Sequence, residues 1–263
     1  MASPFAACLL DLDGTLYADG AAIPGAIDTV ARLRDRRIPF RCVSNTSSRS
    51  RRLIAERLRH YGFDIGMDEI VTSVLAGAAL LAQAGRRRVA PFVDPAAFED
   101  LAGVELAGGT APEATDGRVP DAVVIGDLGE RWTYALMQEA FHYLRAGAAL
   151  VALSRDRYWR HDGRLVLDAG AFVAGLEYAA GVPAALAGKP SATFFRAALA
   201  ELGPVEPGAV AMIGDDVWSD VDGARRAGLQ GWLVRTGKFE PTVLARSGIT
   251  PDRVVDSIAD VAG

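Results

Sequence analysis

The chain has 263 residues, half of them hydrophobic, and a net charge of −5. That length supports one large domain or two modest ones, and the balance is that of a soluble globular protein. There is no basic surplus for nucleic acid and no apolar stretch near the roughly twenty residues of a membrane span, and "MASPFAACLL" lacks the charged opening and long apolar segment of a secretory signal. We therefore expect a cytoplasmic protein with neither nucleic acid nor membrane as partner. Cys8 and Cys42 both lie in apolar runs and read as buried thiols rather than a disulfide, which suits a reducing compartment. His60, His142 and His161 cluster with neither cysteine, so no zinc site is expected.

Apolar, strand-like runs alternate with helical patterns along the chain, the signature of an α/β fold with a parallel sheet. The run 6–10 reads as a buried strand and ends in Asp11-x-Asp13-Gly14-Thr15. "GAIDTVARLRDRR" then places Ile27, Val30 and Leu33 on one helical face. A second strand at 38–43 delivers Ser44 and Asn45, and "SSRSRRLIAERLRHYG" reads as a helix with Ser47 as N-cap and Gly62 as stop. "VAPFV" (89–93), "AVVIG" (122–126) and "ALVAL" (149–153) are three further strands, with a long helix from Glu130 to Ala146 between the last two. The strand-like "PAALAG" leads to Lys189. "PSATFFRAALAELG" then begins with Pro190 at a first helical position and ends at Gly203. Strands at 209–213 and 231–234 follow, the first delivering Gly214, Asp215, Asp216 and Asp220. Residues 77–183 read as an inserted, smaller α/β unit, and 1–76 with 184–263 as a Rossmann-like core.

In an open parallel sheet, ligands sit beyond the carboxyl ends of the strands. Acids, a hydroxyl and a lysine are thus expected to converge on one sheet edge. Two like charges about 4 Å apart cost roughly 1 kcal/mol in water and several times that near protein, so Asp11 and Asp13 need compensation. A hard cation such as Mg²⁺ takes oxygen ligands and offsets the repulsion between Asp11 and Asp215. If the ligand is a phosphate ester, each residue type has a task. Asp11 attacks phosphorus in line and forms an aspartyl phosphate. Asp13 protonates the leaving oxygen and later deprotonates the attacking water. Gly14 lets the backbone turn. Ser44 and nearby amides hold phosphoryl oxygens while Lys189 balances negative charge. Of the 28 basic residues only Lys189 and Lys238 are lysine, which makes each more informative.

"DLDGTL", the serine after the second strand, "GKPS" and "GDDVWSD" together resemble the four motifs of the haloacid-dehalogenase-like (HAD) phosphatase superfamily, over nearly the whole chain. The resemblance implies a nucleophile at Asp11, an acid/base at Asp13, phosphate binding at Ser44 and Asn45, the family lysine at Lys189 and the metal aspartate at Asp215. Asp220 matches the second acid of the last motif, in a supporting or water-mediated role. The expected Mg²⁺ set is Asp11, Asp13, Asp215 and Asp220. Family members that are haloalkanoate dehalogenases lack an acid at the Asp13 position, so phosphoryl transfer is implied. Ser44 to Lys189 is too long for a simple crossover, so the extra unit is inserted there; this resembles the type II arrangement, and its α/β patterning subtype IIA. "GAIDTVARLR", "RLRHYGFDI" and "AMIGDDVWSDVDGARRAGLQGWLVRTGKF" resemble the branch holding the phospholysine, phosphohistidine and pyrophosphate phosphatases. In the inserted unit, "ALSRDRYW" resembles a family loop usually reading Ala-Thr-Asn-Pro-Asp; Asp156 matches, while Ser154 and Arg155 depart. "RYWRHD" (157–162) follows a strand end, as a substrate-facing loop should, and Asp156 and Tyr158 are the substrate-binding candidates. The resemblance implies a phosphatase for a small phosphorylated molecule, a cap that closes over the core, and dimerisation through caps of this type.

Other readings fit less well. As a calcium loop the segment from Asp11 puts Leu16 at the required glycine and Ala22 at the final glutamate. "GVPAALAGKP" is no P-loop, since its glycines are too far apart and Pro190 replaces the magnesium-binding hydroxyl. "VVIGDLGE" (123–130) mimics "MIGDD" but lies in the inserted unit, where Asp127 turns into the helix from Glu130. "YALMQEAFHYLRAG" reads as core-facing helix and Arg86–Arg88 as a solvated turn. A phosphomutase shares the aspartyl phosphate but usually carries its cap before the second motif, where this chain has no room. A non-catalytic phosphate sensor has no need of Asp13, and a receiver domain does not explain the insertion.

Overall fold

The computed structural model describes residues 4–112, 117–161 and 164–261. The chain divides into two compact units, one made of Met1–Ser44, Arg52–Val71 and Lys189–Gly263, the other of Asn45–Arg51 and Thr72–Gly188.

The first unit opens with β1 (Ala7–Asp11), buried at every position, as expected for a parallel strand covered on both faces. A flap hairpin follows, made of antiparallel β2 (Tyr17–Ala18) and β3 (Ala21–Ala22). α1 (Ala26–Asp35) buries Ala26, Thr29, Val30 and Leu33, a strict helical stripe. Ile27, expected on that face, falls one position off it and is exposed. β4 (Phe40–Ser44), α2 (Arg51–His60) and β5 (Ile70–Thr72) complete this stretch. Ser47 does not cap α2. Its hydroxyl instead accepts the backbone N–H of Asp127 at 2.8 Å.

The second unit runs through α3 (Ser73–Gln83), β6 (Arg88–Phe92), β7 (Glu105–Leu106), β8 (Ala122–Ile125), α4 (Tyr134–Arg145), β9 (Ala149–Ala152), the antiparallel hairpin β10 (Tyr158–His161) and β11 (Arg164–Leu167), α5 (Ala169–Ala180) and β12 (Ala184–Leu186). Its sheet is five-stranded and parallel, in the order β12-β9-β8-β6-β7. Phe92, Val123 and Ile125 pack with Ala140 and Leu144 of α4 and with Val173 and Leu176 of α5. α4 starts later than the sequence suggested: Glu130 belongs to a separate 3₁₀ turn, and Thr133 caps the helix by accepting the Leu136 N–H. Arg88 is no solvated turn residue. It is buried in β6 and pairs with Glu105 at 2.6 Å.

The first unit resumes with α6 (Ala192–Leu202), β13 (Val210–Gly214), α7 (Gly223–Arg226), β14 (Gln230–Val234), α8 (Pro241–Ser247) and β15 (Arg253–Val255). Pro190 precedes α6 rather than opening it, because Ser191 is the cap and accepts the Phe194 N–H at 3.1 Å. The six-stranded sheet has the order β15-β14-β13-β1-β4-β5. From β1 the chain builds outward through β4 to β5, and from β13 it builds the other way through β14 to β15. The direction of growth therefore reverses between β1 and β13, where an open α/β sheet leaves its ligand crevice. Cys8 and Cys42 are free and buried in this core, and burial pushes both thiols well above their ordinary range. No helix among the described residues is long and apolar enough to cross a membrane.

Candidate active site

β1 ends on Asp11 and its neighbour β13 ends on Gly214, so Asp215 emerges beside Asp11 at the reversal point. Asp216 caps a π-helical turn, Val217–Asp222, accepting the N–H groups of Trp218 and Ser219 at 2.9 Å each. That turn folds Asp220 back so that its Oδ2 accepts the Asp216 N–H at 3.1 Å. Asp11, Asp215 and Asp220 each offer a carboxylate oxygen within 4.8 Å of the others, and all three are buried. The Lys189 ammonium, also buried, donates to Asp11 Oδ1 at 2.5 Å and to Asp220 Oδ1 at 2.6 Å. Thr15 adds a longer contact to Asp11 Oδ2 at 3.4 Å.

A loop beyond β14 closes one side. The Lys238 N–H donates to Asp215 Oδ2 at 2.6 Å, and the Thr236 hydroxyl donates to the Gly14 carbonyl at 2.5 Å. Gly14 (φ +81°) and Gly237 (φ +60°) face each other here, and a side chain on either would collide with the Asp215 carboxylate. Glycine is required at both for space as well as for conformation.

The electrostatics follow from the burial. Three carboxylates share one buried ammonium, so two negative charges remain when all are ionised. Burial, then Asp11 and Asp220, push Asp215 well above the usual carboxylate range. Burial also raises Asp220, to about 7, although Lys189 pulls it down. Asp11 is raised by burial against the opposing pull of Lys189. Burial disfavours the Lys189 charge, but Asp11 and Asp220 outweigh it and hold the ammonium protonated. Asp216 goes the other way: burial is outweighed by Lys238 and two backbone donors, and it stays ionised more readily than an ordinary aspartate. A divalent cation matches the surplus charge, and buried carboxylate oxygens are the hard ligands such a cation takes.

Among the residues expected at the site, Asp11, Lys189, Asp215 and Asp220 are brought together. Lys189 arrives by a different route from the one anticipated. The strand before it, β12, pairs with β9 in the second unit's sheet, Ala184 opposite Leu150, so the four segments do not all leave one sheet edge. Lys189 is instead the first residue of the chain's return to the first unit. Asp13 is exposed and its carboxylate lies outside the three-acid group; its Oδ2 accepts the Tyr17 hydroxyl at 2.9 Å. Ser44 is buried at the end of β4, next to β1. Asn45 and Asp156 meet within the second unit, Asn45 Nδ2 donating to Asp156 Oδ2 at 3.3 Å. Tyr158 is exposed at the start of β10, opposite Leu167, so a hairpin stands where a loop was expected. Asp162 lies outside the described residues. Thr236 and Gly237 were not singled out from the letters, and Lys238 was marked only as one of two lysines. The scarcity of lysine and the position of Lys238 just past a strand were the available signals.

This architecture, a parallel α/β core with buried acids and a lysine at the reversal point plus an inserted α/β unit, is that of a hydrolase with a cap domain. The sequence profile of the haloacid dehalogenase-like hydrolases matches residues 8–107, and a HAD-hydrolase-like profile matches residues 186–261. Haloacid dehalogenase-like hydrolase domain-containing protein 2 of Rattus norvegicus is 42% identical over 236 residues, 89% of this chain and 85% of that protein. Phospholysine phosphohistidine inorganic pyrophosphate phosphatase of Bos taurus is 37% identical over 258 residues, 96% of this chain and 91% of that one. The structure of p-nitrophenyl phosphatase from Archaeoglobus fulgidus superposes with a TM-score of 0.88 at 28% identity, over 98% of both chains. The chain belongs to the haloacid dehalogenase-like hydrolase family, and it is an enzyme of the family's phosphatase type.

Proposed function

We propose that the protein is a Mg²⁺-dependent phosphatase that hydrolyses a small phosphorylated metabolite through an aspartyl phosphate on Asp11. The observation that carries the reading is the group of three buried carboxylates at the reversal point of the sheet, two of them, Asp11 and Asp220, paired with Lys189. The donor set fits a hard divalent ion, with Asp11, Asp215 and Asp220 as its holders and Asp13 outside the group. Such an ion, when bound, draws electron density from phosphoryl oxygens and offsets the surplus negative charge.

The residues themselves supply the rest. An Asp11 carboxylate oxygen forms a bond to phosphorus as the ester P–O bond breaks, and Asp13 gives its proton to the departing oxygen. Asp13, now a carboxylate, takes a proton from water as that water attacks phosphorus. The bond to Asp11 then breaks and inorganic phosphate is released. Lys189 keeps Asp11 oriented and ionised through the 2.5 Å contact. Ser44 and Asn45 are assigned to phosphoryl oxygens, and Asp156 and Tyr158 of the inserted unit to the leaving group.

Turnover of an aryl phosphate with and without millimolar Mg²⁺ tests the reading. Activity should require the ion, and Asp11→Asn should abolish it while leaving the fold intact. Full activity in Asp11→Asn would overturn the mechanism. Mg²⁺-dependent binding without turnover across a broad panel of phosphates would make the protein a sensor.

A further inference from the structure

Asp13 must both deliver and recover a proton, yet it is exposed, on a segment that leaves the sheet. An unrestrained carboxylate in that position spends its time among rotamers, and only some of them reach the substrate. The structure supplies a restraint. The Tyr17 hydroxyl donates to Asp13 Oδ2 at 2.9 Å, leaving Oδ1 as the oxygen available for proton exchange.

Tyr17 is itself immobilised. It is only 4% exposed, far less than a phenol on a two-residue flap strand needs to be. Its ring lies 5.3 Å from the ring of Tyr61, and the Arg57 guanidinium sits 5.0 Å over Tyr17 and 5.5 Å over Tyr61. Arg57 Nε also donates to the Tyr61 hydroxyl at 2.8 Å. Cation–π contacts of this kind attract the guanidinium to both ring faces and favour the one rotamer that makes them. The backbone fixes the same pair of residues from the other side. The Gly14 N–H donates to the Tyr17 carbonyl at 2.8 Å, and the Leu12 carbonyl accepts from Thr15, Leu16 and Tyr17. A chain of contacts thus runs from α2 through Arg57 and Tyr17 to one oxygen of Asp13, all within the first unit.

We propose that Tyr17 is the positioning residue for Asp13, holding Oδ2 so that Oδ1 is presented as the proton carrier, and that Arg57 and Tyr61 keep Tyr17 in place. The proposal rests on the phosphatase reading above and adds to it a residue that acts only through Asp13. A tyrosine with this role has a distinctive kinetic signature. Protonation matters in proportion to the basicity of the leaving oxygen, so a weakly basic phenolate departs with little help while a strongly basic one requires the acid.

The test compares kcat/KM of the full-length wild type, Tyr17→Phe and Asp13→Asn on p-nitrophenyl, phenyl and p-methoxyphenyl phosphate with saturating Mg²⁺. Tyr17→Phe keeps the ring packing and removes only the hydroxyl. It should lose about tenfold on p-methoxyphenyl phosphate and less than about threefold on p-nitrophenyl phosphate, in the same direction as Asp13→Asn but smaller. Its unfolding temperature should stay near that of the wild type. Equal losses on all three esters, or none, with Asp13→Asn still selective, would overturn the role of Tyr17 and leave the phosphatase reading standing. An Asp13→Asn enzyme with the wild-type dependence on leaving group would instead overturn the acid/base assignment itself. Should Tyr17→Phe fail to fold, Arg57→Met carries the same test: a selective loss supports the anchor and a uniform one refutes it.

Discussion

Two segments of this chain read almost alike and behave in opposite ways. "AMIGDD" runs through β13 and "AVVIGD" through β8; both are buried strands of a parallel sheet that end in Ile-Gly-Asp. Asp215, after β13, is buried against two further carboxylates. Asp127, after β8, is half-buried and makes an ordinary turn, its Oδ1 accepting the Gly129 N–H at 2.8 Å. The difference lies in the neighbours. Both strands lie where their sheet reverses its direction of growth, but β13 lies beside β1, which ends on Asp11, whereas β8 lies between β6 and β9, which end on Phe92 and Ala152. A crevice at the sheet's reversal is not enough; a strand-end aspartate becomes a site residue when the strand beside it delivers another acid there.

The sharpest way to break the comparison is to remove each acid in turn. Asp215→Asn should lower kcat/KM by about 10²–10³-fold and abolish the response to Mg²⁺, in line with losing a group that holds charge in a water-excluded site. Asp127→Asn should change neither. Initial rates over a Mg²⁺ titration would check both, and a normal titration curve in Asp215→Asn would refute the metal assignment. Lys189→Met should come next in size. Removing one partner of a buried ion pair typically costs about 3–5 kcal/mol, and here it strands two carboxylates. Denaturant unfolding in excess chelator should show that loss, and added divalent ion should recover part of it.

The core of the site was legible because its signals are local: a buried run that ends in an acid is visible in the letters at Asp11 and at Asp215. Lys189 was legible as a residue but not in its placement. The short strand before it is half-exposed, and nothing in "PAALAG" says which of two sheets it joins. Ser47 looked like a helix cap because serine before a helical stretch commonly is one, yet its hydroxyl accepts the N–H of Asp127, eighty positions on. The loop bearing Gly237 and Lys238 escaped for the same reason, since its role depends on Gly14, more than two hundred residues away. Periodicity reports which face a residue occupies, and long-range contact decides what that face meets.

Two acids of the site couple the fold to pH in the same direction. Asp220 titrates near 7 in the fold and Asp215 well above an ordinary aspartate, both through burial. An acid raised in the folded state favours folding while protonated, and that contribution fades as pH climbs through the folded value. Asp216, lowered instead, contributes above the unfolded aspartate range near 4 and so does not oppose the trend above pH 5. Lys189 stays charged throughout this window. The chelated protein should therefore lose several degrees of unfolding temperature between pH 5 and pH 8, and saturating Mg²⁺ should flatten the profile by favouring the ionised acids. Asp220→Asn in chelator should be flatter than the wild type. A wild-type profile that rises from pH 5 to pH 8 in chelator would contradict the charge surplus.

The smallest effect belongs to the segment that only resembles the site. Asp127→Ala removes one hydrogen bond to the Gly129 N–H from a position solvent can reach. Water then satisfies the freed N–H, so the cost should be about 0.5–1 kcal/mol rather than the larger penalty of a buried orphan. The Asp127 N–H keeps its bond to Ser47, because that donor is backbone and survives the substitution. The urea midpoint should shift slightly while kcat/KM and the Mg²⁺ titration stay at wild-type values. A loss of Mg²⁺ response in Asp127→Ala would mean that the second sheet end also handles the ion. An acid on the neighbouring strand would then no longer separate the two aspartates.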